Sequence, residues 1–188
     1  RYFGHQLAQL EWINFGGGYL FQDIDNYQPF IDLVTTLRKE LKLDIYIEPG
    51  NAVVGNAANL VASVIDCFES EGKNIVILDT SVNHHPEVFE YQRILDMDLH
   101  DNMGKYAAII AGGTCLAGDI FGEYRLRQPL HIGDKVTFHN VGAYSLIKAH
   151  RFNGHNLPHI YAQTSEGELR LLKHYGYQDY QQQWLMPT

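Results

Sequence analysis

Apolar and polar positions alternate in two different rhythms along the chain, with the change near residue 57. The run Trp12-Ile13-Asn14-Phe15 predicts a short buried strand over residues 11–15 that ends at Gly16-Gly17-Gly18. Over residues 27–41, Phe30, Ile31, Val34, Leu37 and Leu41 recur at the spacing of one helix face. A second buried strand, Asp44 to Ile47, runs into Glu48-Pro49-Gly50. Strand, glycine loop, helix and strand make a βαβ unit, which requires parallel strands and a right-handed crossover.

Beyond residue 57 the runs become short and β-rich. Leu60 to Cys67 and Asn74 to Leu78 predict a hairpin closed by Glu69-Ser70-Glu71-Gly72-Lys73. Further strands are expected at 106–111, 134–139, 145–151, 158–163 and 168–173, with a short closing helix from Tyr177 to Trp184. The fold class is therefore α/β plus all-β: residues 1–56 read as the last strands of a TIM-like (β/α)8 barrel, and residues 57–188 as an antiparallel β domain. An eight-stranded barrel takes about 250 residues, so two strands leave apolar faces that an upstream segment is expected to cover. The absence of an initial Met fits a piece whose upstream half lies elsewhere.

Composition narrows the function. A net charge of −8 disfavours a nucleic-acid partner, which needs a basic face, and is compatible with cationic polyamines. Two cysteines, Cys67 and Cys115, give no disulfide framework and fit a reducing compartment. No apolar run reaches the roughly 20 residues of a membrane span, and Arg1-Tyr2-Phe3-Gly4-His5 is not a secretory signal. A soluble, cytoplasmic protein is expected. Twelve Tyr and nine Phe are many for this length, and aromatics favour subunit interfaces and ligand pockets.

Candidate chemistry sits mainly in the loops. Gly16, Gly17 and Gly18 follow a strand and let backbone N–H groups approach a phosphate, although three glycines also make a plain tight turn. Glu48 ends the next strand on the same face, as a partner for a pyridine-type ring nitrogen or as a solvated strand-end carboxylate. Gly113-Thr114-Cys115-Leu116-Ala117-Gly118-Asp119 flanks a cysteine with glycines and sets an acid four residues on. That suits a positioned thiol able to move a proton, where an isolated cysteine is more often a small buried hydrophobe. Tyr144 is either a phosphate-binding hydroxyl or a core residue. Adjacent His84 and His85 would point apart on a strand, and no Cys or carboxylate completes a metal-ligand pattern with them.

Taken in order, these stretches resemble the carboxynorspermidine decarboxylase family. Trp12-Ile13-Asn14-Phe15-Gly16-Gly17-Gly18 is similar to its phosphate loop, and Ile47-Glu48-Pro49-Gly50 to its ring-nitrogen strand. The stretch from Gly113 to Tyr124, with Leu116-Ala117-Gly118, resembles its active-site cysteine loop. Gly133-Asp134-Lys135-Val136, Ala143-Tyr144 and Phe152-Asn153-Gly154 also follow the family in order and spacing, so the resemblance runs the length of the chain.

The resemblance implies an alanine-racemase-like C-terminal domain, pyridoxal 5'-phosphate as cofactor, and decarboxylation of a carboxylated polyamine in a homodimer. It implies that Gly16, Gly17, Gly18, Gly50 and Tyr144 serve the cofactor and its phosphate, and Glu48 the ring nitrogen. Cys115, with Asp119, would face the substrate across the dimer interface. Ornithine-type relatives carry an acid where this chain has Leu116, and diaminopimelate-type relatives carry Glu-Ser-Gly where it has Leu-Ala-Gly. Departures are Tyr19 in place of His, Asn51 in place of a phosphate-binding Arg, and Asn83-His84-His85-Pro86-Glu87 for a His-x-Pro-Asp pattern.

The family's cofactor-bearing lysine belongs to an early barrel strand, and none of Lys39, Lys42, Lys73, Lys105, Lys135, Lys148 or Lys173 has a matching context. An N-terminal half of the same enzyme is thus an expected partner. Two other readings stay open: an enzyme of this fold acting on another α-carboxylated amine, and a non-catalytic half that assembles with a partner.

Overall fold

The computed structural model describes residues 4–7, 9–19, 21 and 24–185. Arg1–Phe3, in the opening run read for a secretory signal, lie outside the described residues. The chain separates into two compact units, Arg1–Asn56 and Ala57–Thr188.

In the first unit a single turn of helix, α1 (Gly4–Leu7), precedes strand β1 (Trp12–Asn14), helix α2 (Gln28–Leu41) and strand β2 (Asp44–Tyr46). β1 and β2 pair in parallel with Ile13 opposite Ile45. Pro29 sits in the first turn of α2, where its missing N–H costs nothing, and Lys42 ends the helix at φ 55. Phe30, Val34, Leu37 and Leu41 are half-buried along one stripe, while Ile31, expected on that stripe, is 50% exposed. Trp12, Tyr46 and Val53 are each more than half exposed, so this unit keeps large apolar surfaces open in the chain. A further turn of helix, α3 (Gly50–Val54), follows Pro49; the sequence pattern gave no sign of it.

The second unit is built on a five-stranded sheet of β3 (Leu60–Ser70), β4 (Lys73–Leu78), β5 (Tyr106–Ala111), β6 (Ile120–Leu126) and β7 (Lys135–Phe138), in the order β6-β5-β4-β3-β7. Glu71 and Gly72, both at positive φ, close the β3–β4 hairpin where the sequence placed it. The sheet is mixed rather than purely antiparallel, because β4 and β5 run parallel. Parallel neighbours need a long crossover, and the segment from Asp79 to Lys105 provides it, carrying the short helix α4 (Glu87–Tyr91).

On β3, Leu60, Ala62 and Val64 are buried while Val61 between them is 57% exposed, the alternation of a half-buried strand. The core closes around Leu78, Ile110, Phe121, Tyr124 and Phe138, with the Phe121 and Phe138 rings stacked at 4.7 Å. Each such ring contributes about 2–3 kcal/mol by its burial.

Beyond the sheet lie α5 (Ser145–Lys148), the hairpin β8 (Ile160–Gln163) and β9 (Leu169–Lys173), and α6 (Tyr177–Gln181). The strand expected over 145–151 is therefore absent, replaced by one helical turn and an irregular stretch. Tyr144, at φ 65, turns the backbone sharply before Ser145, so the chain cannot enter extended pairing there. His84 also departs from expectation, since it closes a 3-10 turn, Val82–His84, rather than standing on a strand. Among the described residues no helix is long and apolar enough to cross a membrane, and no three His, Cys, Asp or Glu side chains converge as a metal site.

Candidate active site

The two parallel strands of the first unit carry their loops at the same, C-terminal end. Gly16, Gly17 and Gly18 leave β1, and Glu48 and Gly50 leave β2. Backbone bonds hold the two loops side by side: the Glu48 N–H donates to Gly16 O at 2.8 Å, and the Gly50 N–H to Glu48 O at 2.9 Å. Gly17 must lack a side chain, because a Cβ there would fall 2.8 Å from Glu48 O. Gly16 and Gly18 adopt φ of 73 and 86, a region costly for other residues, and a Cβ at either would meet nothing within 4 Å. The outer side of the loop is thus open. Among the described residues the N–H groups of Gly17 and Gly18 donate to no backbone or side-chain acceptor.

Asn14, the last residue of β1, completes this cluster and was not singled out by sequence reasoning. Its Nδ2 donates to Glu48 Oε1 at 2.6 Å, and its Oδ1 accepts the Gly16 N–H at 2.8 Å. One amide therefore fixes the carboxylate and the glycine loop together. Free N–H groups on an open, glycine-lined loop beside an oriented carboxylate fit a phosphorylated pyridine cofactor, whose anionic and ring-nitrogen ends need those two partners.

In the second unit Cys115 is exposed on the loop between β5 and β6. Asp119, expected to share its chemistry, is only 5% exposed and is fully engaged by hydrogen bonds. Its Oδ1 accepts from Ser81 Oγ (3.1 Å) and the Val82 N–H (2.8 Å); its Oδ2 accepts from the Thr114 N–H (3.1 Å) and Thr114 Oγ1 (2.5 Å). The Leu116 N–H donates to Thr114 Oγ1 at 3.2 Å, so both neighbours of Cys115 hang from this one carboxylate. The geometry makes Asp119 the anchor of the loop that carries Cys115, with its carboxylate turned toward Ser81, Val82 and Thr114. Gly112 permits it, since a Cβ there would fall 2.3 Å from Asp119 Oδ1.

Tyr144 is 48% exposed, which removes the alternative of a core residue. The turn that presents it is held from beneath by His85, whose Nδ1 lies 2.5 Å from Ser145 Oγ.

One segment underlies both loops of this unit. Thr80, Ser81, Val82, Asn83, His84 and His85 are all 3% exposed or less. Thr80 O accepts the Gly113 N–H at 2.9 Å, Ser81 and Val82 hold Asp119, and Asn83 O accepts the His150 N–H at 3.1 Å. Most groups of this buried polar run are paired, as burial favours, and the pairing ties the Cys115 loop to the Tyr144 turn. The sequence signal for it was the run Thr80-Ser81 and Asn83-His84-His85 between apolar neighbours. Burial pushes the His84 and His85 imidazoles down to about 4, with His155 adding repulsion at the first and Arg93 and Lys148 at the second. The structure therefore gathers Gly16, Gly17, Gly18, Glu48 and Gly50 in one unit, and Cys115, Asp119 and Tyr144 around one segment of the other.

Comparison with known proteins matches the chain to one family. The family described as pyridoxal-dependent decarboxylase, C-terminal sheet domain, matches residues 21–142. The chain is 36% identical to the carboxynorspermidine/carboxyspermidine decarboxylase of Campylobacter jejuni over 95% of its own length and 50% of that protein's. It is 31% identical to the carboxyaminopropylagmatine decarboxylase of Synechocystis over 96% of its length and 48% of the relative's. The crystal structure of the C. jejuni carboxynorspermidine decarboxylase, complexed with norspermidine, superposes with a TM-score of 0.82 at 33% identity, covering 96% of this chain and 53% of that one. Diaminopimelate decarboxylase of M. jannaschii shares the fold, with a TM-score of 0.78 at 22% identity, covering 99% of this chain and 45% of that one. The chain spans about half the length of the relatives it matches. On the family match, and with its sheet and loops as described, the chain belongs to the pyridoxal-dependent decarboxylases, as a bearer of their C-terminal sheet domain.

Proposed function

We propose that this chain is the C-terminal half of a decarboxylase that releases carbon dioxide from a carboxylated polyamine such as carboxynorspermidine or carboxyspermidine. The observation that carries the reading is the joint clamp of Asn14 on Glu48 and Gly16, which holds a carboxylate beside a glycine loop, the two kinds of partner a phosphorylated pyridine calls for. The names of the relatives at 36% and 31% identity support the substrate class.

Bound pyridoxal phosphate supplies an electron sink for the electron pair left when the carboxylate departs. The N–H groups of Gly17 and Gly18 would donate to the phosphate, with Gly50 keeping the neighbouring turn narrow, and the Tyr144 hydroxyl would be a further phosphate donor. Glu48 would accept from the protonated ring nitrogen and hold that proton in place. The Cys115 thiol, supplied by the neighbouring subunit of a homodimer, would deliver a proton to the carbon that lost its carboxylate. Asp119 keeps that thiol on station.

The first unit serves in this reading as the last part of the cofactor-binding barrel, whose earlier strands and covalent lysine come from the N-terminal half. Two cysteines without a disulfide fit the reducing cytoplasm. The test is carbon dioxide release by the enzyme completed with its N-terminal half, offered carboxynorspermidine, carboxyspermidine and diaminopimelate in parallel. Turnover of either carboxylated polyamine well above diaminopimelate is expected. Preference for diaminopimelate, or no release from any of the three, overturns the proposal.

A further inference from the structure

We infer that His85 is a positioning residue for Tyr144, acting as a neutral Nδ1–H donor that locks the Val141–Ser145 turn on which the Tyr144 hydroxyl is presented. The inference rests on the phosphate role of Tyr144 proposed above.

The argument begins with the proton inventory of Ser145. A hydroxyl has one proton to donate. Ser145 Oγ donates it to Val141 O, closing the turn on itself. The 2.5 Å contact between Ser145 Oγ and His85 Nδ1 therefore requires the proton to come from the imidazole. This fixes the tautomer: Nδ1 carries hydrogen and Nε2 is bare.

The rest of the site agrees. His85 is fully buried, and among the described residues its Nε2 has no hydrogen-bond partner. A protonated Nε2 in that buried position would be a donor with no described acceptor; a bare one leaves only a lone pair unmatched, the cheaper state. Arg93 and Lys148 face the ring and oppose a positive charge on it, in the same sense as its burial.

Tyr144 needs such a lock because its backbone stands at φ 65, a left-handed conformation that is unfavourable for a residue with a side chain. The turn around it keeps that conformation only if its neighbours are held. Ser145 also accepts the Ala149 N–H through its carbonyl at 2.9 Å, so the lock extends into α5.

Two measurements test the inference. On the 188-residue chain, ring 15N shifts of His85 near neutral pH should report a neutral imidazole with hydrogen on Nδ1; an Nε2–H tautomer or an imidazolium overturns it. In the completed enzyme, the dissociation constant of pyridoxal phosphate is measured for His85→Leu, Tyr144→Phe and the double variant. Each single change should weaken binding about tenfold, and the double no further, because both remove one interaction. His85→Asn, which keeps a donor near the Nδ1 position, should restore most of the affinity. Additive losses, or an unchanged affinity in His85→Leu beside a weakened Tyr144→Phe, overturn the role of His85. An unchanged affinity in Tyr144→Phe instead removes Tyr144 from the phosphate, and the inference falls with it. Should His85→Leu fail to fold, Ser145→Ala removes the same contact with little change in volume and carries the same expectations.

Discussion

Asn14 donates its side-chain amide to Glu48 Oε1 across 2.6 Å, joining two strand ends that lie 34 residues apart in sequence. The contact orients the acid, whose other oxygen meets no donor among the described residues. Asn14→Ala should weaken pyridoxal phosphate binding by about tenfold, the worth of one hydrogen bond to a charged group. Asn14→Asp should do more harm, because two carboxylates at that distance cannot both ionise. Titration of the cofactor by absorbance checks both, and equal affinity in the three proteins would remove Asn14 from the site.

The cysteine loop separates chemistry from support. Cys115→Ala changes an exposed side chain and should alter stability by less than about 0.5 kcal/mol while lowering turnover far more than cofactor affinity. Asp119→Ala strands two N–H groups and two hydroxyls in a buried loop and should cost roughly 3 kcal/mol or more. Urea unfolding of the two variants, with steady-state kinetics of the completed enzyme, reads the difference.

The glycine loop offers a graded test. At Gly17 a methyl group would meet Glu48 O at 2.8 Å and force the two loops apart, an overpacking cost of roughly 1–3 kcal/mol. At Gly18 the space is open and only the positive φ resists, a cost of roughly 1–2 kcal/mol. Gly17→Ala should therefore lose more cofactor affinity than Gly18→Ala, measured on the same titration.

Acid should loosen the second unit before its carboxylates protonate. His84 and His85 are held neutral in the fold, with values near 4 against an ordinary 6.5. Between those limits the unfolded chain binds more protons than the folded one, so stability is full above about pH 6.5 and falls as pH drops toward 4. The groups facing His85 are Arg93 and Lys148, and those facing His84 are His155, His150 and Asp119. Each histidine accounts for up to about 3 kcal/mol. Denaturation midpoints at several pH values check the slope, and His85→Asn should flatten it.

How far the sequence could be read follows from where each feature keeps its signal. Helix α2 was legible because Phe30, Val34, Leu37 and Leu41 keep one face over three turns, and the β3–β4 hairpin because Gly72 marks its turn. Strand β6 was not, since Ile120 to Tyr124 sits inside the cysteine-loop motif and Gly122 interrupts its alternation. Ser145-Leu146-Ile147 has the look of a strand, and only the left-handed Tyr144 before it sends the chain into a helical turn.

Among the site residues, those with a local grammar were visible: three glycines, an acid before Pro-Gly, a cysteine between glycines. Asn14, Ser81 and His85 act through partners 34, 38 and 60 residues away, and a single sequence carries no local mark of such pairings. Asp119 was noticed for its spacing from Cys115, but spacing could not tell that its carboxylate turns inward.

The parallel pairing of β4 with β5 sets the order in which the second unit can fold. The hairpin of β3 with β4 and the pair of β5 with β6 each join near neighbours in sequence and can form early. Their union waits on the whole segment from Asp79 to Lys105, because β5 cannot lie parallel to β4 until the chain has travelled back to its starting end. That segment carries Ser81, Val82 and His85, the supports of both loops. That closure between distant parts of the chain also brings together the supports of both loops, so a molecule whose sheet has closed has already laid down the groundwork of its site.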